Sequence, residues 1–311
     1  MASKPLISVA IATYNGEKHL RQQLDSILSQ SYDNFEIIVS DDRSTDSTQT
    51  ILDEYRSKHN IQYQVNKKNI GYIKNFETLI SLCTGDYIAL SDQDDIWLPE
   101  KLEKLINNIG NNLLIHSDAS LIDENDNLLK KRWKGQVESF NTFEQFLFRN
   151  IVTGCTILFK RELLKTASPF PEGLAYHDWW LAISSSIESK ITYINEPLIL
   201  YRQHTTQHTG ANTSSKFDII ILDKIRRAVG KKTFRMIASG KHLKNLYSIK
   251  DQQLFSKDQK QSINDIICYH ENIIHHYFHP KSFFLALKYR HIWRQGKIRF
   301  FMRSLIIDIF G

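Results

Sequence analysis

The 311-residue sequence lacks several features that would mark common protein classes. Its three cysteines, Cys83, Cys155 and Cys268, have no CxxC spacing, which disfavours a disulfide framework or a zinc site and predicts reduced, cytosolic thiols. No apolar run reaches about 18 residues, so no transmembrane helix is expected, and no secretory signal precedes the first predicted strand. A P-loop and a GxGxxG motif are also absent, which excludes Walker-type NTPases and dinucleotide-binding Rossmann enzymes by motif.

Charge is divided unevenly along the chain. Residues 1–204 contain 21 basic and 27 acidic side chains, whereas residues 205–311 contain 19 basic and 7 acidic ones, so the net charge of +6 conceals two unlike parts. A polar segment rich in Thr, Ser, Gln and Asn, His204–Ser215, lies where the balance changes and is typical of a linker. We therefore expect a catalytic domain over residues 1–210 and a basic helical region over residues 211–311.

Strand and helix signals alternate over the first hundred residues. Short apolar runs predict strands at Leu6–Ala12, Phe35–Val39, Ile61–Val65 and Tyr87–Leu90, and apolar residues at helical spacing predict the helices between them. This alternation predicts an α/β fold with a mostly parallel sheet covered by helices on both faces. Further strands are predicted at Leu113–His116, Lys130–Lys134, Thr156–Lys160, Ile191–Ile194 and Leu198–Arg202.

The stretch from Tyr87 to Lys101 runs from a buried strand directly into three carboxylates, Asp92, Asp94 and Asp95. Open α/β sheets bind their ligands at the carboxyl ends of the strands. Crowded carboxylates repel one another unless a cation lies among them, and oxygen ligands of this kind suit Mg²⁺ or Mn²⁺ carrying a diphosphate. The alternative is an Asp-rich solvated turn ahead of a helix that Pro99 begins.

Five segments resemble the family 2 glycosyltransferases, and they occur in the order of that family. They are Ser8–Thr48, Asn69–Trp97 (ending SDQDDIW), Thr153–Leu163 (TGCTILFKREL), Ala175–Leu181 (AYHDWWL) and Tyr201–His204 (YRQH). Their form is most similar to bacterial rhamnosyltransferase-like members that build surface polysaccharides. The resemblance implies the GT-A fold, in which a nucleotide-diphospho-sugar binds across the sheet, followed here by a C-terminal helical region.

The same resemblance implies which side chains bind the donor and a metal ion. The nucleotide-sugar would be contacted by Ala12, Thr13, Tyr14, Asp42, Lys74, Asp92 and Gln93. Asp42 would contact the base, and Lys74, where many members have Arg, would approach the base or the diphosphate. Asp94 would bind Mn²⁺ or Mg²⁺ directly, with His204 as a second contact to the metal or to phosphate.

The acceptor side is implied by the AYHDWWL and TGC segments. Asp178 matches the base that deprotonates the acceptor hydroxyl, but this chain has His177 where many members have Glu. His177 would either tune the carboxylate or shape the pocket. Adjacent indoles on one helix do not share a face, so one of Trp179 and Trp180 is expected to offer its ring to a sugar. Thr153 and Gly154 are expected to shape the same groove.

Together these features imply a metal-dependent inverting glycosyltransferase. The expected reaction moves L-rhamnose from dTDP-L-rhamnose to a hydroxyl of a lipid-linked cell-wall, capsule or O-antigen glycan. A UDP-hexose or UDP-N-acetylhexosamine donor is the alternative, because the pocket motif does not name the sugar. A sugar-1-phosphate nucleotidyltransferase would need a Gly-rich basic loop near the N-terminus, which Leu6–His19 lacks.

The C-terminal residues Lys281–Gly311 contain seven Lys or Arg and one acid, Asp308, with apolar residues at helical spacing. A basic amphipathic helix is typical of binding to an anionic membrane surface, which predicts a peripheral protein on the inner face of the cell membrane. Packing on the catalytic domain or on a second copy in a homodimer is the alternative. No nucleic-acid motif accompanies the basic charge, so no nucleic-acid partner is expected. Four histidines, His270, His275, His276 and His279, are interpreted as core or interface residues.

Overall fold

The computed structural model describes residues 4–134, 141–203, 240, 242–275 and 280–289. Contacts divide these residues into two compact units. The second unit contains the described residues from 240 onward together with two earlier segments, Thr142–Asn150 and Pro171–Ala175, and the first unit contains the rest. The boundary at residue 210 stays a prediction, since the residues around it lie outside the described ranges.

Strands and helices alternate along the chain. The strands are β1 (Ile7–Thr13), β2 (Phe35–Asp41), β3 (Ile61–Val65), β4 (Tyr87–Ser91), β5 (Ile96–Trp97), β6 (Leu114–Ile122), β7 (Leu128–Lys130), β8 (Ile157–Lys160) and β9 (Ile191–Arg202). The helices are α1 (Leu20–Leu28), α2 (Thr48–Lys58), α3 (Tyr72–Leu82), α4 (Lys101–Ile109), α5 (Phe143–Phe148), α6 (Leu164–Ala167), α7 (His177–Ser186), α8 (242–249), α9 (Lys257–His275) and α10 (Pro280–Lys288).

The described strands form one sheet in the order β3-β2-β1-β4-β8-β6-β9-β5, with β7 paired to β6. Strands β1 to β4 are parallel neighbours, as are β6 and β9, whereas β8 pairs antiparallel with both β4 and β6. Ile7, Val9 and Ile11 of β1 have no exposed surface, and each such aliphatic side chain contributes roughly 1.5–3 kcal/mol when buried. The predicted α/β fold is confirmed, with antiparallel pairs added around β8.

The parallel register places three strand ends at one edge of the sheet. Thr13 at the end of β1 pairs with Asp41 at the end of β2, and Ile11 pairs with Ser91 at the end of β4. The loops that follow β1, β2 and β4 therefore leave the sheet side by side. Helix α1, which follows the first of them, buries Leu20, Leu24 and Ile27 at helical spacing and so fixes where that loop ends.

The second half of the sheet differs from the sequence expectations. β6 continues to Ile122 because Ser117, Asp118 and Ser120 are buried in the sheet although they interrupt the apolar run. β9 continues through Pro197 as one strand, because irregular register between β6 and β9 accommodates the proline. The short strand β5 was not expected, and it pairs antiparallel with β9 directly after the acidic residues.

The second unit is built from helices. Phe143 of α5 lies against Phe255, and Phe148 lies edge-on to Tyr269 of α9 and to Tyr289. Asp265 of α9 accepts hydrogen bonds from Lys288 and Tyr289, which joins α9 to α10. Among the described residues, no helix is both long and apolar enough to cross a membrane. The predicted amphipathic helix near the C-terminus lies outside the described residues, as do His276 and His279.

Candidate active site

The loops after β1 and β2 are joined by hydrogen bonds that use neutral donors and backbone groups. Asn15, which has a φ of +49°, accepts the Thr45 N–H with its side-chain oxygen at 2.8 Å. In return, the Asn15 N–H donates to Ser44 Oγ and the Gly16 N–H donates to Thr48 Oγ1, both at 2.8 Å. This part of the edge is fixed before any ligand binds.

Of Ala12, Thr13 and Tyr14, which were expected to line the nucleotide pocket, Tyr14 is the exposed residue. Its side chain is 41% exposed, whereas Thr13 is buried and donates its hydroxyl to Asp41 at 2.9 Å. Ala12 is half-buried in β1. The structure therefore leaves the ring of Tyr14 available to a ligand and uses Thr13 to hold the end of β2.

Asp42 organises the start of α3. Its carboxylate accepts hydrogen bonds from Asn66 Nδ2 and from the backbone N–H groups of Ile70 and Gly71, all at 2.9 Å. Gly71 has a φ of +81°, a conformation that favours glycine, and it precedes the first residue of α3. Lys74, one turn into that helix, is paired with Glu77 at 2.6 Å and its side chain is 59% exposed. The predicted base contact of Asp42 stays a prediction.

The turn after β4 carries the acidic residues, and Arg202 of β9 holds it in place. The fully buried guanidinium of Arg202 donates from Nε to the carbonyl oxygen of Asp94 at 2.7 Å, and its backbone N–H donates to Asp95 Oδ1 at 3.0 Å. The same guanidinium donates to Gln22 Oε1 at 2.8 Å and pairs with Asp126. A single buried cation thus joins the acidic turn to α1 and to the β6–β7 connection.

Lys101, at the first position of α4, is a second buried cation beside this turn. Its Nζ donates to the carbonyl oxygen of Cys155 at 2.6 Å and lies 3.3 Å from the centre of the Trp97 ring. Burial lowers the pKa of Lys101 to about 7, and this effect is opposed by the negative charges of Asp95 and Asp92. Lys101 therefore connects the turn that follows β4 to the turn before β8.

The carboxylates of this turn are buried close together, and a bound cation would offset the repulsion between their charges. Asp92, Asp95 and Cys155 offer ligand atoms that lie within 4.8 Å of one another. Burial and the charges of Asp94 and Asp178 raise the pKa of Asp92 to about 7, and burial together with Asp94 and Asp92 raises the pKa of Asp95 well above its usual range. Burial also raises the pKa of the Cys155 thiol, so the sulfur stays protonated and the carboxylate oxygens are the ligands. This donor set fits Mg²⁺ or Mn²⁺.

Asp178 lies in the first turn of α7, opposite the turn that contains Gly154. Its Oδ2 accepts the Gly154 N–H at 3.2 Å and its Oδ1 accepts the Trp179 N–H at 2.6 Å. A helix N-terminus favours a carboxylate there. Gly154, which donates to Asp178, is followed by Cys155, whose sulfur lies within 4.8 Å of ligand atoms of Asp92 and Asp95, so the predicted base and the acidic turn lie on either side of one short segment.

His177 is buried and shapes the wall beside Asp178. Its ring stacks on Phe76 with the centroids 4.1 Å apart, and Tyr72 contacts it edge-on. A Cβ added at Gly154 would lie 2.8 Å from His177 Nε2, so the close approach of the two turns requires glycine. Burial lowers the pKa of His177, which keeps the ring neutral. Two roles were considered for His177, tuning the carboxylate and shaping the pocket, and these contacts support the second.

The structure argues against the acceptor role predicted for the tryptophans. Trp179 and Trp180 are each 1% exposed, and Trp180 Nε1 donates to the carbonyl oxygen of Ala167 at 2.7 Å. Neither indole offers a face to a ligand, because neighbouring elements cover both of them. Thr153, also expected at the acceptor groove, accepts a hydrogen bond from Lys134 Nζ at 2.9 Å. His204 lies outside the described residues.

The chain belongs to glycosyl transferase family 2, whose family model matches residues 8–167. The dTDP-rhamnosyl transferase RfbG of Shigella flexneri is 33% identical over 248 residues, which cover 74% of this chain and 83% of RfbG. The uncharacterized glycosyltransferase RT0329 of Rickettsia typhi is 32% identical over 216 residues, 66% of each protein. The predicted family and the rhamnosyltransferase-like resemblance are thereby confirmed, and the protein is a glycosyltransferase.

Solved structures confirm the GT-A type of fold. Residues 1–349 of S. aureus TarS, in complex with UDP-GlcNAc, match with a TM-score of 0.58 and 16% identity over 94% of this chain and 93% of that one. The mannosyltransferase PcManGT from Pyrobaculum calidifontis, in complex with GDP-Man and Mn²⁺, matches with a TM-score of 0.57 and 15% identity over 93% and 76%. At these identities the likeness shows the fold alone.

Sequence reasoning did not identify Lys101, Arg202 or Cys155 as parts of this site. Arg202 follows the apolar run Leu198–Tyr201, and a lone arginine at the end of a buried strand is a signal of a paired internal charge. Lys101 lies six residues after Asp95, beyond β5, and it would have been expected on the solvated face of α4. Its burial depends on Cys155, which is 54 residues away along the chain.

Proposed function

We propose that this protein transfers L-rhamnose from dTDP-L-rhamnose to a hydroxyl of a lipid-linked surface glycan, with inversion at the anomeric carbon and with Mn²⁺ or Mg²⁺. The observation that carries the proposal is that Asp178 and the acidic turn approach the same short segment: the Gly154 N–H donates to Asp178, and the next residue, Cys155, has its sulfur within 4.8 Å of ligand atoms of Asp92 and Asp95. The choice of donor is supported by the identity to RfbG, whose name states dTDP-rhamnosyl transfer.

The chemistry that follows is a single displacement. The acceptor oxygen forms a bond to the anomeric carbon of the donor while the bond from that carbon to the diphosphate oxygen breaks. Asp178 takes the proton of the acceptor hydroxyl, and the Gly154 N–H orients the carboxylate for this task. General-base assistance of this kind contributes roughly 10²–10⁴ in rate.

The metal would be held by carboxylate oxygens of the acidic turn, with Asp94 as the direct ligand and Asp92 beside it. When bound, such an ion neutralises the charge that develops on the leaving nucleoside diphosphate. Arg202 holds the backbone carbonyl oxygen of Asp94 and the side-chain oxygen Oδ1 of Asp95, so the turn that carries the ligands is fixed in advance. His204 remains the proposed second contact to the metal or to phosphate.

The nucleotide half of the site is proposed to use Tyr14, Asp42 and Lys74. Tyr14 offers an exposed ring, and Lys74 offers an exposed charge that is paired at 2.6 Å with the partly buried carboxylate of Glu77. The oxygens of Asp42 already accept hydrogen bonds from the segment before α3. A base that binds there would contact a carboxylate whose position is fixed.

The acceptor is proposed to be lipid-linked and the protein to bind the inner membrane surface through its basic C-terminal residues. Co-sedimentation with vesicles tests this directly. Vesicles containing anionic phosphatidylglycerol should retain the protein and neutral phosphatidylcholine vesicles should not, with retention lost at high salt. If neither vesicle retains it and the protein is instead a stable dimer in solution, the C-terminal residues serve a second copy and the membrane proposal is wrong.

Donor identity is tested by calorimetry in the presence of Mn²⁺. The donors are dTDP-L-rhamnose, UDP-glucose, UDP-galactose and UDP-N-acetylglucosamine, each measured with the wild-type protein and with Asp178→Asn. We expect dTDP-L-rhamnose to bind, and to bind equally well to the variant, because the base acts on the acceptor and not on the donor. NMR of the transferred sugar should then show the anomer opposite to that of the donor.

Two results would overturn parts of this proposal separately. Binding of a UDP-sugar in preference to dTDP-L-rhamnose would keep the transferase chemistry and move the donor to a hexose or N-acetylhexosamine. Retention of the donor anomer in the product would contradict the single displacement and with it the role of Asp178.

A further inference from the structure

Gln93, the middle residue of the Asp-Gln-Asp triplet, has both ends of its amide bonded to the backbone of one residue. Its Oε1 accepts the Tyr14 N–H at 2.8 Å, and its Nε2 donates to the Tyr14 carbonyl oxygen at 3.0 Å. Two reciprocal bonds to one peptide residue resemble the paired bonds between antiparallel strands. The side chain was expected to contact the donor, but here its polar atoms are used within the protein.

These two bonds join loops that are 79 residues apart in sequence. On one side is the loop after β1, which is already tied to the loop after β2 through Asn15 and Gly16. On the other side is the acidic turn, in which Asp92 and Asp94 directly flank Gln93. The amide of Gln93 therefore links the fixed loops of the nucleotide half to the residues proposed to hold the metal.

Gly16 provides the space that this arrangement needs. A Cβ added there would lie 2.3 Å from Gln93 Oε1 and 2.6 Å from its Cδ, too close for any real contact. The atoms in the way belong to a flexible side chain, and the φ of Gly16 lies outside the left-handed region, so alanine would strain no backbone. The side chain of an alanine at this position would instead displace the amide of Gln93.

We propose that Gln93 is a positioning residue that holds the backbone of Tyr14 against the acidic turn, at the separation that a bound nucleoside diphosphate spans. This inference rests on the proposed function, since it assigns the two loops to the two ends of one donor. Gln93 itself does not contact the donor. Its loss would let the two loops separate, so that binding would have to order them again.

A double-mutant cycle tests this relation. Binding of dTDP and of UDP is measured by calorimetry with Mn²⁺ for wild type, Gln93→Ala, Gly16→Ala and the double variant. Each single change should weaken nucleotide binding about tenfold, which corresponds to one or two net hydrogen bonds at about 1.4 kcal/mol per tenfold. The double variant should bind no more weakly than Gln93→Ala, because Gly16→Ala acts only by displacing the Gln93 amide.

Kinetics separate positioning from a general structural defect. In Gln93→Ala the KM for the donor should rise while kcat and the melting temperature stay near those of wild type. Gln62→Ala, at an exposed position of β3, is the matched control and should change neither quantity. Equal nucleotide affinity in wild type and Gln93→Ala would overturn the proposal, and so would additive losses in the double variant.

Amide exchange distinguishes a failure of this inference from a failure of the proposed function. If the wild-type protein binds neither nucleotide, the proposed function is wrong for these donors, and the link between the loops is then judged from exchange alone. The Tyr14 N–H should exchange more rapidly in Gln93→Ala and in Gly16→Ala than in wild type. Unchanged exchange in both variants would show that the Gln93 amide does not hold this loop.

Discussion

The two halves of the donor site are stabilised in different ways. The loops after β1 and β2 are fixed by hydrogen bonds from backbone N–H groups, with no cation among them, to the amide of Asn15, the hydroxyl of Thr48 and the carboxylates of Glu17 and Asp46. The acidic turn after β4 instead buries carboxylates beside two buried cations, Lys101 and Arg202. The first half is complete without a ligand, whereas the second has unfavourable electrostatics that a metal ion would offset. In this fold the loops on the nucleotide side are pre-organised by hydrogen bonds, whereas the acidic turn keeps buried charges close together.

The largest expected effect concerns the charge at the acceptor end. Asp178→Asn should lower kcat by roughly 10²–10⁴, because asparagine keeps the shape and one of the two backbone hydrogen bonds but cannot take the acceptor proton. Nucleotide binding should be unchanged. Initial rates and calorimetry check the two statements, and Glu188→Gln, at an exposed ion pair beyond α7, is the control. A variant that turns over at the wild-type rate would contradict the assignment of the base.

A second test removes the buried cation of the acidic turn. Lys101→Met should lower the free energy of unfolding by about 2 kcal/mol, because the buried carbonyl oxygen of Cys155 loses its hydrogen-bond donor. Lys104→Met on the same helix removes only exposed pairs with Glu100 and Glu196, so its effect should stay below about 1 kcal/mol. Urea denaturation without metal measures both. Equal losses of unfolding free energy in the two variants would mean that Lys101 stabilises the protein no more than an exposed lysine does.

The pH dependence of stability should also come from the acidic half. The pKa of Asp92 is about 7 in the folded protein against about 4 in an unfolded chain, so between these values the folded state binds the extra proton. The contribution of Asp92 to the free energy of unfolding of the metal-free protein should therefore fall as the pH rises from about 4 to about 7. Asp92→Asn should reduce the pH dependence and leave the part that comes from Asp95, whose pKa is also raised by burial.

Mn²⁺ should reverse that trend because it competes with the proton. The increase in melting temperature on adding Mn²⁺ is expected to be larger near pH 8 than near pH 6 in wild type, since Asp92 is ionised only at the higher value. The difference should shrink in Asp92→Asn. Thermal unfolding with and without Mn²⁺ at the two values measures it. The same Mn²⁺ shift at both pH values would show that Asp92 is not part of the metal site.

The smallest expected effect lies in the half of the site formed by the loops after β1 and β2. Asn15→Ala should lower the free energy of unfolding by about 1 kcal/mol, because the Thr45 N–H loses its acceptor. Asn15→Asp keeps an acceptor oxygen and should cost less. Urea denaturation of both variants makes the comparison. If Asn15→Ala were as damaging as Lys101→Met, the two halves would not differ in the way described.

The sequence predicts the parallel half of the fold closely because its signals are local. The limits of β3 match the predicted ones, and those of β4 differ by one residue. β6 and β9 are longer than expected because polar residues and Pro197 are accommodated by pairing between distant strands, which no local pattern contains. The same holds for Thr142–Asn150 and Pro171–Ala175, whose place in the second unit depends on contacts with residues far along the chain.

The residues of the candidate site also divide into those with a local sequence signal and those whose role depends on distant contacts. Asp92 and Asp94 stand out because they follow an apolar run, and Asp178 stands out because the motif that contains it resembles that of a family. Lys101 and Arg202 do not stand out, because the burial of a cation depends on partners that sequence spacing does not show. One of the two tryptophans beside Asp178 was expected at the acceptor groove because adjacent residues of a helix do not share a face, and both are in fact buried. Charge clustering thus locates the site, and packing decides which neighbours take part in it.

The most direct test of the division between the two halves is a Mn²⁺ titration followed by electron paramagnetic resonance, in the presence of saturating dTDP. Wild type, Asp94→Ala and Asp53→Ala are compared, the last being an exposed control on α2. The account predicts one Mn²⁺ bound per chain in wild type and in the control, and affinity at least about tenfold weaker in Asp94→Ala. Equal Mn²⁺ affinity in all three proteins would contradict the assignment of the acidic turn as the cation-binding half of the site.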